Sequence, residues 1–239
     1  MQGHLWADDV RVWTARLEID LARVARLQEI LSPDERSRAA RYRNPRDGHR
    51  FIVRRASLRR GVSACVGVAP RQIVFGYGPT GKPFVREPSS ARSLRFNLAH
   101  SAGLAVYACG AGHPVGIDIE RARRHGDLDD VASRFFSPDE RVKLASLPRS
   151  ARTVAFYRCW TRKEAYVKAI GSGIEAPLDD FDVAFAPDAP AALLRVGWQP
   201  SEPSRWRMEA LDVPHGYIGA IIVARSARVE KLDMKEVLG

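Results

Sequence analysis

Gly116-Ile117-Asp118-Ile119-Glu120 and, after residues 121–159, Trp160-Thr161-Arg162-Lys163-Glu164-Ala165-Tyr166-Val167-Lys168 are the stretches from which the rest of this chain can be read. In a β-strand alternate side chains share a face, so Asp118 and Glu120 point one way while Ile117 and Ile119 point into a core. In a helix residues four apart share a face, so Glu164 and Lys168 stack, in line with Trp160 a turn earlier. If strand and helix pack together, three carboxylates and an ammonium meet. A set of hard oxygen ligands suits Mg2+, which takes few protein carboxylates and completes its shell with substrate phosphates. Each stretch alone also reads as a wet strand edge or a solvated ion pair. Their co-occurrence is what points to a cation held against a phosphate.

The pentapeptide Ser-Pro-Asp-Glu-Arg occurs twice, as Ser32-Pro33-Asp34-Glu35-Arg36 and Ser137-Pro138-Asp139-Glu140-Arg141. Each copy reads as a helix start, with Ser as N-cap, Pro at the first helical position and Glu reaching back as a capping box. A second helical segment follows each, residues 47–65 and 151–170, with Phe51 and Phe156 at the same offset. Strand-like runs come next, at 73–75, 93–98, 104–109 and 115–120, then at 181–185, 193–196, 205–211 and 217–223. Helices followed by strands, twice over, predict an α+β, pseudo-duplicated two-lobe fold, each lobe with helices packed on an antiparallel sheet. The lobes are expected at residues 1–115 and 116–239, with Asp118 and Glu120 at the seam, where ligand sites commonly form. Residues 186–192 and 201–204 read as hairpin loops, and 230–239 as a polar tail without function.

With 239 residues, 45% hydrophobic and 28% charged, the chain has the composition of a soluble globular protein able to bury a substantial core. No apolar run reaches the length of a membrane span, and the N-terminus lacks the basic start and apolar run of a signal peptide, so a cytoplasmic protein is expected. Cys65, Cys109 and Cys159 lie far apart in apolar stretches and read as buried, reduced thiols. The formal charge of +10 calls for an anionic partner: nucleic acid, membrane surface, phosphorylated ligand or acidic protein. Ten arginines fall within residues 36–60 against one acid, Asp47. Beyond Tyr42 and Phe51 that run has no interleaved aromatics and no groove-reading helix, which argues against nucleic acid. Only six lysines occur, yet Lys82, Lys163 and Lys168 all sit in motif-like segments, where a compact charge is wanted. Residues 76–82 fit most of a phosphate-binding P-loop, but Pro83 stands where its metal-binding Ser or Thr belongs and no helix pattern follows.

The two opening stretches together resemble the signature of the 4′-phosphopantetheinyl transferases, in the larger, two-lobed, monomeric Sfp-type form. Thr80-Gly81-Lys82-Pro83-Phe84 is similar to that family's Gly-Lys-Pro segment, and Phe96-Asn97-Leu98-Ala99-His100-Ser101 to its histidine segment. The resemblance covers residues 31–223. It implies an enzyme that takes coenzyme A and Mg2+, transfers 4′-phosphopantetheine to a serine of an acidic apo acyl or peptidyl carrier protein of fatty-acid, polyketide or nonribosomal-peptide machinery, and releases adenosine 3′,5′-bisphosphate. By the same resemblance Asp118, Glu120 and Glu164 hold the metal, and Lys168 contacts the phosphate of the leaving group. His100, Lys82, Arg38 and Arg50 bind the coenzyme, and Glu140 or a metal-bound water activates the serine. The N-terminal lobe then supplies nucleotide contacts and the C-terminal lobe the metal-binding and catalytic residues. This chain departs from the pattern at Ala99, where relatives have serine, and at Glu35 and Phe51, aligned with lysine and threonine.

Overall fold

Residues 9–78, 81–123, 127–173 and 176–232 are described by the structure, a computed structural model. Pro79 and Thr80 ahead of Lys82, residues 1–8 read for a leader, and residues 233–239 of the expected tail lie outside the described residues. Two compact units form: one takes the described residues up to His113 and those from Arg228 onward, the other is Pro114–Ala227. Among the described residues no helix is long and apolar enough to cross a membrane.

The first unit runs β1 (Asp9–Arg16), α1 (Leu21–Gln28), α2 (Pro33–Ala40), α3 (Pro45–Val66), β2 (Val74–Tyr77), β3 (Pro83–Glu87), β4 (Leu94–Ser101) and β5 (Leu104–Ala111). β1 pairs antiparallel with β5, and β5 with β4. α3 packs on this sheet through Gly61, where a β-carbon would stand 2.0 Å from the ring of Trp13. Trp13 in turn stacks on Tyr107 with ring centroids 5.1 Å apart. Burying an aromatic of this size contributes about 1.5–3 kcal/mol.

The second unit repeats the plan with β6 (Val115–Arg121), α4 (Leu128–Phe135), α5 (Pro138–Ser146), α6 (Arg149–Ile170), β7 (Phe181–Val183), β8 (Leu193–Val196), α7 (Glu202–Arg205), β9 (Trp206–Ala210) and β10 (Tyr217–Ala224). Its sheet order β6-β10-β9 mirrors β1-β5-β4, and β7-β8 mirrors the small β2-β3 ladder. α3 and α6 are both 22 residues long. Each ends at a left-handed glycine, Gly67 with φ 72° and Gly171 with φ 75°, a conformation only glycine takes without strain. The duplication expected from the repeated capping sequence is therefore a duplication of topology.

The strand β11 (Arg228–Lys231) lies parallel to β1, outside it in the first sheet. Glu230 and Lys231, at the start of the expected tail, thus belong to a strand of the first unit, and the second unit ends at Ala227. Val10 and Val229 face each other in that ladder.

Candidate active site

β6 turns Gly116, Asp118 and Glu120 toward α6, while Val115, Ile117 and Ile119 on its other face are buried. A β-carbon at Gly116 would stand 1.8 Å from the carbonyl oxygen of Ala165 and 2.7 Å from the amide nitrogen of Ala169. Helix backbone therefore rests on strand backbone, and Glu164 and Lys168, which flank that contact, are carried to Asp118. Lys168 Nζ donates to Asp118 Oδ1 at 2.5 Å. The lysine remains 29% exposed, whereas Asp118 is buried.

The second oxygen of Asp118, Oδ2, is buried and without a hydrogen-bond partner among the described residues. Such an orphan costs about 1–3 kcal/mol, more for a charged group. Burial pushes the Asp118 carboxyl up from its ordinary value, against the opposing charge and hydrogen bond of Lys168. Glu164 is likewise raised, by burial first and then by the negative charge of Asp118, with Glu120 adding to it and Lys168 opposing. The charges of Asp118 and Glu120 on β6 thus reach Glu164 on α6. Among the described residues no three His, Cys, Asp or Glu side chains form a ready metal-holding group. The donors are nonetheless all hard oxygens, and the orphaned Oδ2 fits a hard divalent cation.

Trp160, though in line with Glu164 on the helix, serves packing. Its ring meets Phe135 at 5.7 Å and Phe156 at 6.3 Å. The aromatic cluster fixes the N-terminal half of α6 against α4.

Glu140 does not fit the expected role of a base. Its side chain is 1% exposed. One oxygen accepts from the Ser137 amide at 3.0 Å and from Lys163 at 2.7 Å; the other accepts from the Val183 amide at 2.9 Å. Burial raises its carboxyl and Lys163 lowers it. In this arrangement both carboxylate oxygens are taken up by structural partners. The lysine of the Trp-x-x-Lys-Glu motif is consumed by the same contact.

In the first unit the expected phosphate ligands sort into separate groups. His100, on β4, is hydrogen-bonded through Nε2 to Arg54, a residue the sequence reading does not single out. Arg54 and Arg38 both lie over the ring of Phe51, at 5.6 and 5.3 Å. Phe51 is therefore a platform for two guanidinium groups, which gives the departure from threonine a physical purpose. Arg50 is engaged elsewhere, with Arg46, on Glu18. Lys82 stands ahead of β3, its pKa lowered by burial and by the charge of Arg95. Glu35 is buried between Arg55 and Arg59. Helical spacing of Phe51 and Arg54, three apart, and of the aromatic itself was the available signal for the platform.

Comparison with known proteins gives the family. Residues 114–222 match the 4′-phosphopantetheinyl transferase superfamily, and residues 19–112 match 4′-phosphopantetheinyl transferase, N-terminal. The 4′-phosphopantetheinyl transferase HetI of Nostoc sp. is 39% identical over 189 residues, covering 79% of this chain and 79% of the relative. A 4′-phosphopantetheinyl transferase of Bacillus subtilis is 32% identical over 211 residues, covering 88% and 89%. A holo-(acyl-carrier-protein) synthase from Bacillus anthracis, solved in complex with CoA, aligns with 46% of this chain and 94% of its own at 24% identity and a TM-score of 0.38. The chain belongs to the 4′-phosphopantetheinyl transferase family, enzymes that transfer phosphopantetheine from coenzyme A to carrier proteins.

Proposed function

We propose that this enzyme transfers 4′-phosphopantetheine to a serine hydroxyl of an acidic apo carrier protein in a Mg2+-dependent reaction and releases adenosine 3′,5′-bisphosphate. The observation that carries the reading is the buried, unpartnered Oδ2 of Asp118 beside Glu164 and Lys168. Asp118, Glu120 and Glu164 are the residues that would hold the cation. When bound it would offset the charge on the pyrophosphate oxygens.

The serine oxygen forms a bond to the phosphorus that bears pantetheine, and the bond from that phosphorus to the bridging oxygen breaks. The electron pair leaves on the nucleotide phosphate, which the partly exposed Lys168 would meet with its ammonium. Since Glu140 is enclosed, the serine proton passes to solvent as the oxygen–phosphorus bond forms. In the first unit His100, Arg54 and Arg38 around Phe51 supply cationic and hydrogen-bonding groups for the coenzyme's phosphates, with Lys82 and Arg50 as further contacts. The net charge of +10 favours an acidic carrier. Two similar units in one chain leave no need for a second copy, so the enzyme acts as a monomer.

The test is the intact mass of apo acyl and peptidyl carrier proteins after incubation with enzyme and coenzyme A, with MgCl2 or with chelator. Addition of one phosphopantetheine only when the metal is present supports the reading. Equal transfer in chelator would remove the cation from the reaction.

A further inference from the structure

Lys163, next to Glu164 in Trp160-Thr161-Arg162-Lys163-Glu164, has no exposed surface. Its ammonium donates to the Leu178 carbonyl at 2.6 Å and the Phe181 carbonyl at 2.5 Å, and pairs with Glu140 at 2.7 Å. All three N–H bonds are used, and the ammonium lies 4.2 Å from the centre of the Phe181 ring. The first unit contains the same device. Arg59 stands at the same step of α3 as Lys163 does of α6. Its Nε meets Glu35 Oε2 at 2.7 Å, and its Nη1 donates to the carbonyls of Pro70 at 2.9 Å and Ile73 at 2.7 Å. In both units, then, a buried cation on the long helix ties the capping-box glutamate of the preceding helix to carbonyls of the segment that follows.

We propose that Lys163 and Glu140 are positioning residues for phosphopantetheinyl transfer, a clamp that fixes the rotation and register of α6 against β6. The proposal rests on the reading of Asp118, Glu120 and Glu164 as the cation's ligands. Glu164 is the next residue after Lys163, so its direction is set by where Lys163 is anchored. A slip of one residue would turn it by about 100° and shift it by about 1.5 Å. The contact at Gly116 sets how closely α6 approaches, but glycine offers no side chain to stop rotation. The clamp supplies that stop. Because a guanidinium performs this task in the first unit, the requirement is for a buried cation with several donors, and not for lysine as such.

The experiment measures Mn2+ affinity by electron paramagnetic resonance, together with kcat, the KM for coenzyme A and the pH profile of transfer, on K163R, K163M, E140Q and the wild type. A thermal melt reports whether each variant folds. K163M and E140Q are expected to weaken Mn2+ binding by about 10–100-fold, as loss of an orienting contact behind a metal ligand does, with the pH profile unshifted. K163R is expected to restore binding to within about threefold of wild type. If K163M or E140Q fails to fold, the double variant K163M/E140L, which replaces the pair by apolar groups, is measured in its place, with the same weakening expected.

Loss of kcat in E140Q with the acidic limb of the pH profile gone and Mn2+ affinity intact would overturn the clamp and make Glu140 a base. K163R as poor as K163M would also overturn it. A wild type that binds Mn2+ and shows the pattern of variants but transfers nothing would sink the assigned reaction and leave the clamp standing.

Discussion

Gly116 and Ala165 touch backbone to backbone: the space a β-carbon would need at Gly116 is occupied by the Ala165 carbonyl oxygen, 1.8 Å away. No side-chain movement can relieve that overlap, because the obstructing atom belongs to a hydrogen-bonded helix. Gly116→Ala is expected to destabilise the fold by about 3 kcal/mol or more, at or above the usual range for overpacking a core, and to abolish transfer by moving Glu164 and Lys168 off β6. Urea unfolding with an activity assay checks this. A variant with wild-type midpoint and wild-type rate would show that the close approach is dispensable.

Burial raises the Asp118 carboxyl, and its Oδ2 has no hydrogen-bond partner among the described residues, so the group sits there at a cost in stability. Asp118→Asn should therefore stabilise the enzyme without ligands while ending transfer, the usual exchange at a functional site. We expect a melting temperature higher by roughly 2–4 °C, which is what about 1 kcal/mol moves in a protein of this size. MgCl2 should raise the melting temperature of the wild type and leave the variant unchanged. A variant that melts lower, or that still responds to MgCl2, would count against a cation seat at Asp118.

The counterpart pair gives a clean pH dependence. Burial raises the Glu35 carboxyl, but the hydrogen bonds and charges of Arg59 and Arg55 outweigh it and hold the group below its ordinary value of 4.5. A depressed folded-state pKa contributes stability that is whole above the unfolded value and is lost as pH falls through the folded one. Glu35→Gln should then cost about 3–5 kcal/mol at pH 7, as removing one partner of a buried pair does, and progressively less below pH 4.5. Denaturant melts of both proteins between pH 3 and 8 supply the curve, and a difference that does not change with pH would refute the coupling.

Much of this site could be read before any fold was known, because its logic is local. Alternation along β6 places Asp118 and Glu120 together, and the four-residue step of α6 stacks Glu164 on Lys168. What escaped was non-local. Nothing in residues 228–231 announces that they will pair in parallel with β1, since that partner lies at the other end of the chain. The strand β1 itself alternates Val10 and Val12 with Arg11 but carries Trp13 and Ala15 into the core on the other face, so its period is blurred. Glu140 reads equally well as a capping residue and as a base, and the burial of Lys163 against it favours the structural role. The same local sequence at Glu35 was the hint.

Lys168 lies at the exposed edge of the carboxylate cluster, paired to Asp118 at 2.5 Å. An ammonium that meets the departing phosphate acts mainly once charge has built up there. Lys168→Ala is expected to lower kcat by about 10²–10³-fold, the range for removing one charge-stabilising donor, with the KM for coenzyme A changed by less than about threefold. Steady-state kinetics on a carrier protein separate the two. A rise in KM with kcat intact would make Lys168 a binding residue only.

His100 and Arg54 form a hydrogen-bonded pair, and Arg54 shares the Phe51 ring with Arg38. If these groups grip the coenzyme's phosphates, each of His100→Ala and Arg54→Ala should raise the KM for coenzyme A by about tenfold, equal to about 1.4 kcal/mol and near the value of a hydrogen bond to a charged group. Contacts made equally in the ground state and the transition state are lost in KM alone, so neither variant should alter kcat much. The two side chains also orient each other, so removing both should cost less than the product of the single effects. A double-mutant cycle on the KM for coenzyme A measures the coupling. Strict additivity would mean that the contact between His100 and Arg54 plays no part in holding the ligand, and an effect confined to kcat would move the pair from binding into the chemistry.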